Sequence, residues 1–129
     1  SVMYYKDHTK PYTTLQDANI EIELMDMESN EIEGKIIIWE GDFDYILSQI
    51  PLNNKGEYSA LAYHHNIDFP WYCVEPEYWS MDCLEESLEQ IRYVKDRIED
   101  GFRKEICEDI LKIIYQAIDR GNAVLIRRY

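Results

Sequence analysis

Basic residues are scarce in this chain. Thirteen Lys and Arg stand against 26 Asp and Glu in 129 residues, a formal net charge of −13. That shortage argues against nucleic-acid phosphate and anionic membrane surfaces as partners, because both are gripped by basic patches. Cysteine is also scarce: three residues, an odd number, with no CxxC, so no disulfide framework is expected and the chain reads as a reduced, cytoplasmic protein. No run approaches 18 uncharged apolar residues, so no membrane-spanning helix is expected. The stretch from Ser1 to Tyr12 carries Lys6, Asp7, His8 and Lys10 without an apolar core, which does not read as a secretory leader. Internal repeats, low-complexity tracts and linkers are missing. So are GxGxxG, P-loop, GxSxG, HExxH and EF-hand patterns. The expectation is a protein without cofactor or metal and without catalysis of its own.

Apolar residues make up 46% of the chain and aromatics 13%, enough for a single domain over residues 1–129 with one sizeable core. Residues 1–18 have little period and read as a loop with a turn near Leu15. Ile20, Ile22 and Leu24 alternate with Glu21 and Glu23, which predicts a half-buried strand with a wet acidic face. A polar turn at 28–31 leads to a more buried strand through Ile36-Ile37-Ile38-Trp39, and the two form an antiparallel hairpin. Gly41 breaks the strand. Asp42 then reads as the N-cap of a short helix carrying Phe43, Ile46, Leu47 and Ile50, which Pro51 ends. Tyr58 to Tyr63 could be a strand, and Trp71 to Val74 another.

The last third is more periodic. Ser80 or Asp82 caps a helix to about Glu99, with Leu84, Leu88, Ile91, Val94 and Ile98 inward. A second helix starts near Phe102, turns Ile106, Ile110, Ile113, Ile114, Ala117 and Ile118 inward, and ends at Arg120-Gly121. Ala123 to Ile126 forms a final strand. The order predicts an α+β fold: a mostly antiparallel sheet packed on one face by an antiparallel C-terminal helix pair.

The charge is uneven. Residues 17–44 hold ten acids against Lys35 alone, and residues 75–89 hold six acids and no Lys or Arg. The second run overlaps an aromatic stretch containing Tyr63, Phe69, Trp71, Tyr72, Tyr78 and Trp79. Tyr and Trp anchor protein interfaces, and a charged rim steers the partner in. The candidate partner-binding residues are therefore Glu75, Glu77, Tyr78, Trp79, Asp82, Glu85, Glu86 and Glu89, together with Glu21 and Glu23. The plain alternative is a solvated acidic face, with at least one of Trp71 and Trp79 in the core. A catalytic Cys73 lacks a specified base and orienting partner. A metal site from His64, His65 and Asp68 is disfavoured because adjacent histidines on a strand face opposite ways. Cys73, Cys83 and Cys107 read as small core residues.

In size, acidity and lack of catalytic motifs, with acidic runs at 17–44 and 75–89 and the cluster Trp71-Tyr72 to Tyr78-Trp79, the chain resembles bacterial immunity proteins. These include the contact-dependent growth inhibition type, which neutralise a toxic nuclease or transferase domain. The resemblance is one of overall character and carries over no family residue. It implies an acidic inhibitor whose partner is a basic protein, a toxin or nuclease domain, met by charge complementarity and aromatic anchors. Two other classes stay open. A phage-type nucleic-acid mimic, an anti-restriction or anti-CRISPR protein, would space its acids along an extended surface, and Arg127-Arg128 fits that poorly. A small enzyme or ligand-binding domain would show a deep pocket with convergent polar groups.

Overall fold

The alternation at residues 20–24 builds the centre of a sheet. In the computed structural model, which describes residues 4–12, 18–67 and 78–128, strand β2 (Asn19–Met25) buries Ile20, Ile22 and Leu24 almost completely. Strand β3 (Ile32–Trp39) returns beside it as the expected antiparallel hairpin, with Ile22 opposite Ile36 and Glu23 opposite Lys35. The turn closes on Asp26, whose Oδ1 accepts from the backbone N–H of Glu28 (2.8 Å) and of Ser29 (3.1 Å). Asn30 takes the left-handed conformation there (φ 61°), which its short polar side chain tolerates.

On the other side of β2 lies the last strand, β5 (Ala123–Arg128), antiparallel, with Ile22 opposite Ile126 and Glu21 opposite Arg127. The two-residue β4 (Trp79–Ser80) pairs with β5 at one edge. At the other edge β1 (Tyr4–Asp7) runs parallel to β3. The order is β1-β3-β2-β5-β4. The fold is α+β, and the sheet is mixed. This corrects the reading of residues 1–18 as loop: the stretch Tyr-Tyr-Lys-Asp has no apolar alternation, and its strand exists through pairing with β3.

Among the described residues four α-helices complete the fold: α1 (Glu40–Ser48), α2 (Ala60–Asn66), α3 (Leu84–Arg97) and α4 (Gly101–Arg120). α3 and α4 pack together, and α4 lies across β2, β3 and β5. The C-terminal end of α4 follows the sequence, and its start lies at Gly101, one residue before the expected Phe102. Asp100 caps the start by accepting from the Phe102 N–H at 2.9 Å, and Gly121 closes the end in the left-handed conformation (φ 68°). Ile91, Ile106, Ile110, Ile113 and Ile114 are buried in one continuous core with the sheet. Ile110→Ala is expected to cost about 2–5 kcal/mol of stability, read in a denaturant melt.

Several local expectations are corrected. Residues 60–66 are helical, not strand; the short helix packs on α1 and α3. Gly41 lies within α1 instead of before it, where a Cβ would run into the Trp39 ring. Asp42 is no N-cap: it sits in the first turn of α1, wholly buried. Neither Ser80 nor Asp82 caps α3, whose N-cap is Cys83. Leu88, expected in the core, is half-buried. The expected strand at 71–74 and the turn near Leu15 lie outside the described residues. Among the described residues no helix is long and apolar enough to cross a membrane.

Candidate protein-interaction site

Half of the first acidic run is neutralised, mostly from a distance, while Glu28 and Glu31 stay exposed and meet no Lys or Arg of the described residues. Glu21 and Glu23 do face away from the helices, as the alternation predicts, but they are not wet: only 6% and 8% of each is exposed. Lys35 Nζ lies 3.1 Å from Glu21 and 3.5 Å from Glu23, and Arg127 approaches the same two carboxylates at 3.4 and 3.8 Å. The sheet register brings these charges together, since Lys35 and Arg127 sit on the two strands flanking β2. Burial opposes the Lys35 charge, and the two carboxylates outweigh it, so the ammonium titrates above its usual range. Glu33 meets Arg120 at 3.4 Å, Glu40 meets Arg128, and Asp42 meets Arg103 at 3.0 Å. Five carboxylates of this run thus pair with five cations, four of them from the C-terminal third. The expected wet acidic face is corrected: Glu21 and Glu23 are buried and their charge is engaged within the sheet.

The second run differs. Glu75 and Glu77 lie outside the described residues, as do Trp71, Cys73 and Asp68. The rest of it gathers at the start of α3. Asp82, Glu85, Glu86 and Glu89 are all exposed. Among the described residues the basic groups near them are Arg92, 2.6 Å from Glu89, and the imidazole of His64, 3.8 Å from Asp82. Glu86 accepts from the Ser59 hydroxyl. Asp82, Glu85 and Glu86 meet no Lys or Arg of the described residues. Cys83, expected as a small core residue, is instead exposed at the N-cap of α3, and its thiol reports the local field: partial desolvation first, then the carboxylates of Asp82, Glu86 and Glu85, hold its pKa above the ordinary thiol value. That thiol is therefore a poor nucleophile at neutral pH.

Aromatic side chains flank the acids. Tyr78 is about half exposed (48%). Trp79 is half-buried in β4 opposite Ile126, packs against the core, and its ring centroid lies 4.5 Å from that of His64. α2 is fastened to α3 by Gln90, whose amide donates to the Ser59 carbonyl (2.8 Å) and accepts from the Leu61 N–H (3.0 Å). His65 points to Asp44 at 3.2 Å. The two histidines are thus helical neighbours aimed at different aspartates.

Two buried aspartates escape sequence reasoning. Asp109 on α4 accepts from the Tyr4 hydroxyl and lies 2.6 Å from His8 Nε2, fixing β1 and the residues after it to the helix layer. Asp42 joins Arg103, and the Tyr12 ring stacks 4.6 Å from that of Trp39. Burial first, then Asp42, pushes the Tyr12 phenol up to about 12. Tyr4, His8 and Tyr12 recur every four residues, and each meets α4, the first two at Asp109 and the third at the Phe102 ring. Cys107 is buried, and burial pushes its thiol up to about 12, as befits a small core residue.

Among the described residues, two of the cavities open on the helix layer. One of about 420 Å³ lies where α1 and α3 end, lined by Tyr45, Gln49, Tyr93, Arg97, Glu99 and Asp100 among others. The other, about 260 Å³, is a shallower groove between α3 and α4 over Leu88 and Leu111, rimmed by Arg92 and Lys112. Among the described residues no group of three or more His, Cys, Asp or Glu is placed to hold a metal ion. What the α3 end can do is attract a cation or a basic protein surface and offer it aromatic contacts. No protein-family model matches this chain, and comparison with curated proteins and with solved structures finds no significant match.

Proposed function

We propose that this protein is an acidic inhibitor, an immunity-type protein that binds and neutralises a basic toxin domain such as a nuclease. The observation that carries the reading is the contrast in charge pairing. Glu21 and Glu23 of β2, Glu33 of β3 and Glu40 and Asp42 of α1 are matched by Lys or Arg of the same molecule, whereas Asp82, Glu85 and Glu86 stand exposed without Lys or Arg beside an exposed Tyr78 and a half-buried Trp79. Like charges held together repel, and a basic partner relieves that repulsion. Glu75 and Glu77 belong to the same interface in this reading. The internal pairing of Glu21 and Glu23 also disfavours a nucleic-acid mimic, whose acids must face outward along a surface. The protein acts by occlusion and has no turnover of its own.

The test is capture of partners from the native host on immobilised protein, followed by surface plasmon resonance with the captured protein. Association should be fast and salt-sensitive, because the Debye length shrinks from about 8 Å at physiological ionic strength to about 3 Å at 1 M. Glu85→Lys with Glu86→Lys should slow association, Trp79→Ala should speed dissociation, and the captured protein should lose its toxic activity in the complex. An association rate indifferent to salt and to both reversals sinks the proposal.

A further inference from the structure

α3 and α4 pack side by side, and their outer side carries an apolar seam. Leu88 on α3 and Leu111 on α4, both half-buried, floor the shallow groove between the helices, and Tyr115, 62% exposed, stands at its side. The charges on either side of the seam are matched. Glu89, Arg92 and Asp96 recur on α3 at spacings of three and four, and Lys104, Glu108 and Lys112 recur on α4 at a spacing of four, so each set shares one side of its helix. All are exposed except Lys104, which is partly so. The helices run antiparallel through the short connection at 98–100. With Leu88 and Leu111 level across the groove, the regular rise places Arg92 within a residue of the level of Glu108, and Asp96 within a residue of that of Lys104. Glu89 lies within two residues of the level of Lys112. Each charge on α3 is therefore level with its opposite on α4. The six sum to zero in a chain that carries −13.

We propose that this face docks a second copy of the chain, with α3 of each copy lying antiparallel on α4 of the other, as an up-down-up-down four-helix bundle about a two-fold axis. In that arrangement the two apolar seams close on each other. Arg92 faces Glu108 of the other copy, Asp96 faces its Lys104, and Glu89 faces its Lys112, each contact occurring twice. The seam supplies the attraction, and the charges set the register. The charges have contacts already, Arg92 with Glu89 at 2.6 Å and Lys95 with Asp96 at 4.0 Å, but these are exposed pairs within one helix, worth little and easily exchanged. Two helices about 10 Å apart and about 20–30 Å long present about 500 Å² per copy, or about 1,000 Å² in all, the lower limit for a specific complex, so the dimer is weak. The inference goes beyond the inhibitor reading and does not rest on it: Tyr78, Trp79, Asp82 and Glu86 take no part in these contacts.

The test is analytical ultracentrifugation of the whole chain over a concentration series up to about 1 mM, at physiological ionic strength, where a Debye length of about 8 Å screens the two acidic bodies more than charges in contact. The mass should rise towards that of a dimer, with a dissociation constant on the order of 100 µM. Tyr115→Ala should weaken the dimer about tenfold or more, since its ring is lost from both halves of the interface. Arg92→Glu and Glu108→Arg should each weaken it by a similar factor, because each sets like charges against one another at both symmetry-related contacts. Mixed in equal amounts, these two variants should pair to within about threefold of the parent dimer, since each supplies the charge that the other lacks. A variant that merely folds poorly gains nothing from the mixture, so the rescue separates docking from fold damage. A chain still monomeric at about 1 mM overturns the proposal. So do variants that dimerise as well as the parent, or a mixture no better than its two components.

Discussion

Residues 17–44 and residues 75–89 look alike as sequence, both acidic and nearly free of local base. The fold treats them differently. The first run meets Arg103, Arg120, Arg127 and Arg128, residues 61 to 106 positions away from their acids. The described part of the second meets one arginine, Arg92, three residues along its own helix from Glu89. A net charge counted over a window therefore says little about the field at the surface. The strand register decides which acids become structural; Glu28 and Glu31 of the first run and Asp82, Glu85 and Glu86 of the second stay exposed without Lys or Arg among the described residues.

The comparison is broken most strongly at Arg103. Asp42 is fully buried, and Arg103→Ala leaves its carboxylate without that cation, at an expected cost of about 3–5 kcal/mol in a urea melt. Replacing the pair together, Asp42→Leu with Arg103→Met, should recover most of the loss. A smaller effect is expected in the sheet. Arg127→Leu leaves Glu21 and Glu23 to Lys35 alone and should cost about 1–3 kcal/mol, since Arg127 is itself partly exposed.

Alkaline pH sharpens the contrast more gently. The Tyr12 phenol beside Asp42 is raised from 10.0 to about 12. The unfolded chain releases that proton near pH 10 and the folded chain only near 12. Stability from this group is thus fully present below pH 10 and falls as pH climbs from 10 towards 12. Tyr12→Phe should flatten that part of a melting-temperature profile. The smallest effect on stability belongs to the second run: Glu85→Lys with Glu86→Lys should shift a thermal melt by less than about 1 kcal/mol, mostly through the α3 dipole. The same variant should nonetheless be the most damaging to partner association. A large loss of stability there would place these acids with those of the first run.

What could be read beforehand was what is local. The α3–α4 pair rests on apolar spacing and on Gly121 at its end, and the β2–β3 hairpin rests on alternation and the polar turn at 28–31; the Asp100 cap and the seating of the turn on Asp26 came only with the structure. What could not be read depends on partners far along the chain. β1 is defined by β3. α2, seven residues containing two histidines, has too little period to show and needs α1 and α3 to pack on. Asp42 has the local appearance of a cap, and only the position of α4 turns it into half of a buried ion pair. The α3 candidates Asp82, Glu85, Glu86 and Glu89 stayed exposed because no strand register reaches them; Glu21 and Glu23 lay on a central strand and were claimed by it.

The pairing of β2 with β5 has a kinetic side. These neighbours are about a hundred residues apart in the chain, and β2 is the middle strand of the sheet. Until residues 123–128 arrive, β2 has one unpaired edge, and Glu21 and Glu23 face each other across Lys35 without Arg127. Closing such a long loop is slow compared with forming a helix or hairpin. The hairpin and the α3–α4 pair are thus expected to form early, with sheet completion rate-limiting. Substitutions such as Arg127→Leu should then appear chiefly in whichever of the folding and unfolding rates depends on β5 docking, and stopped-flow refolding would show which one it is.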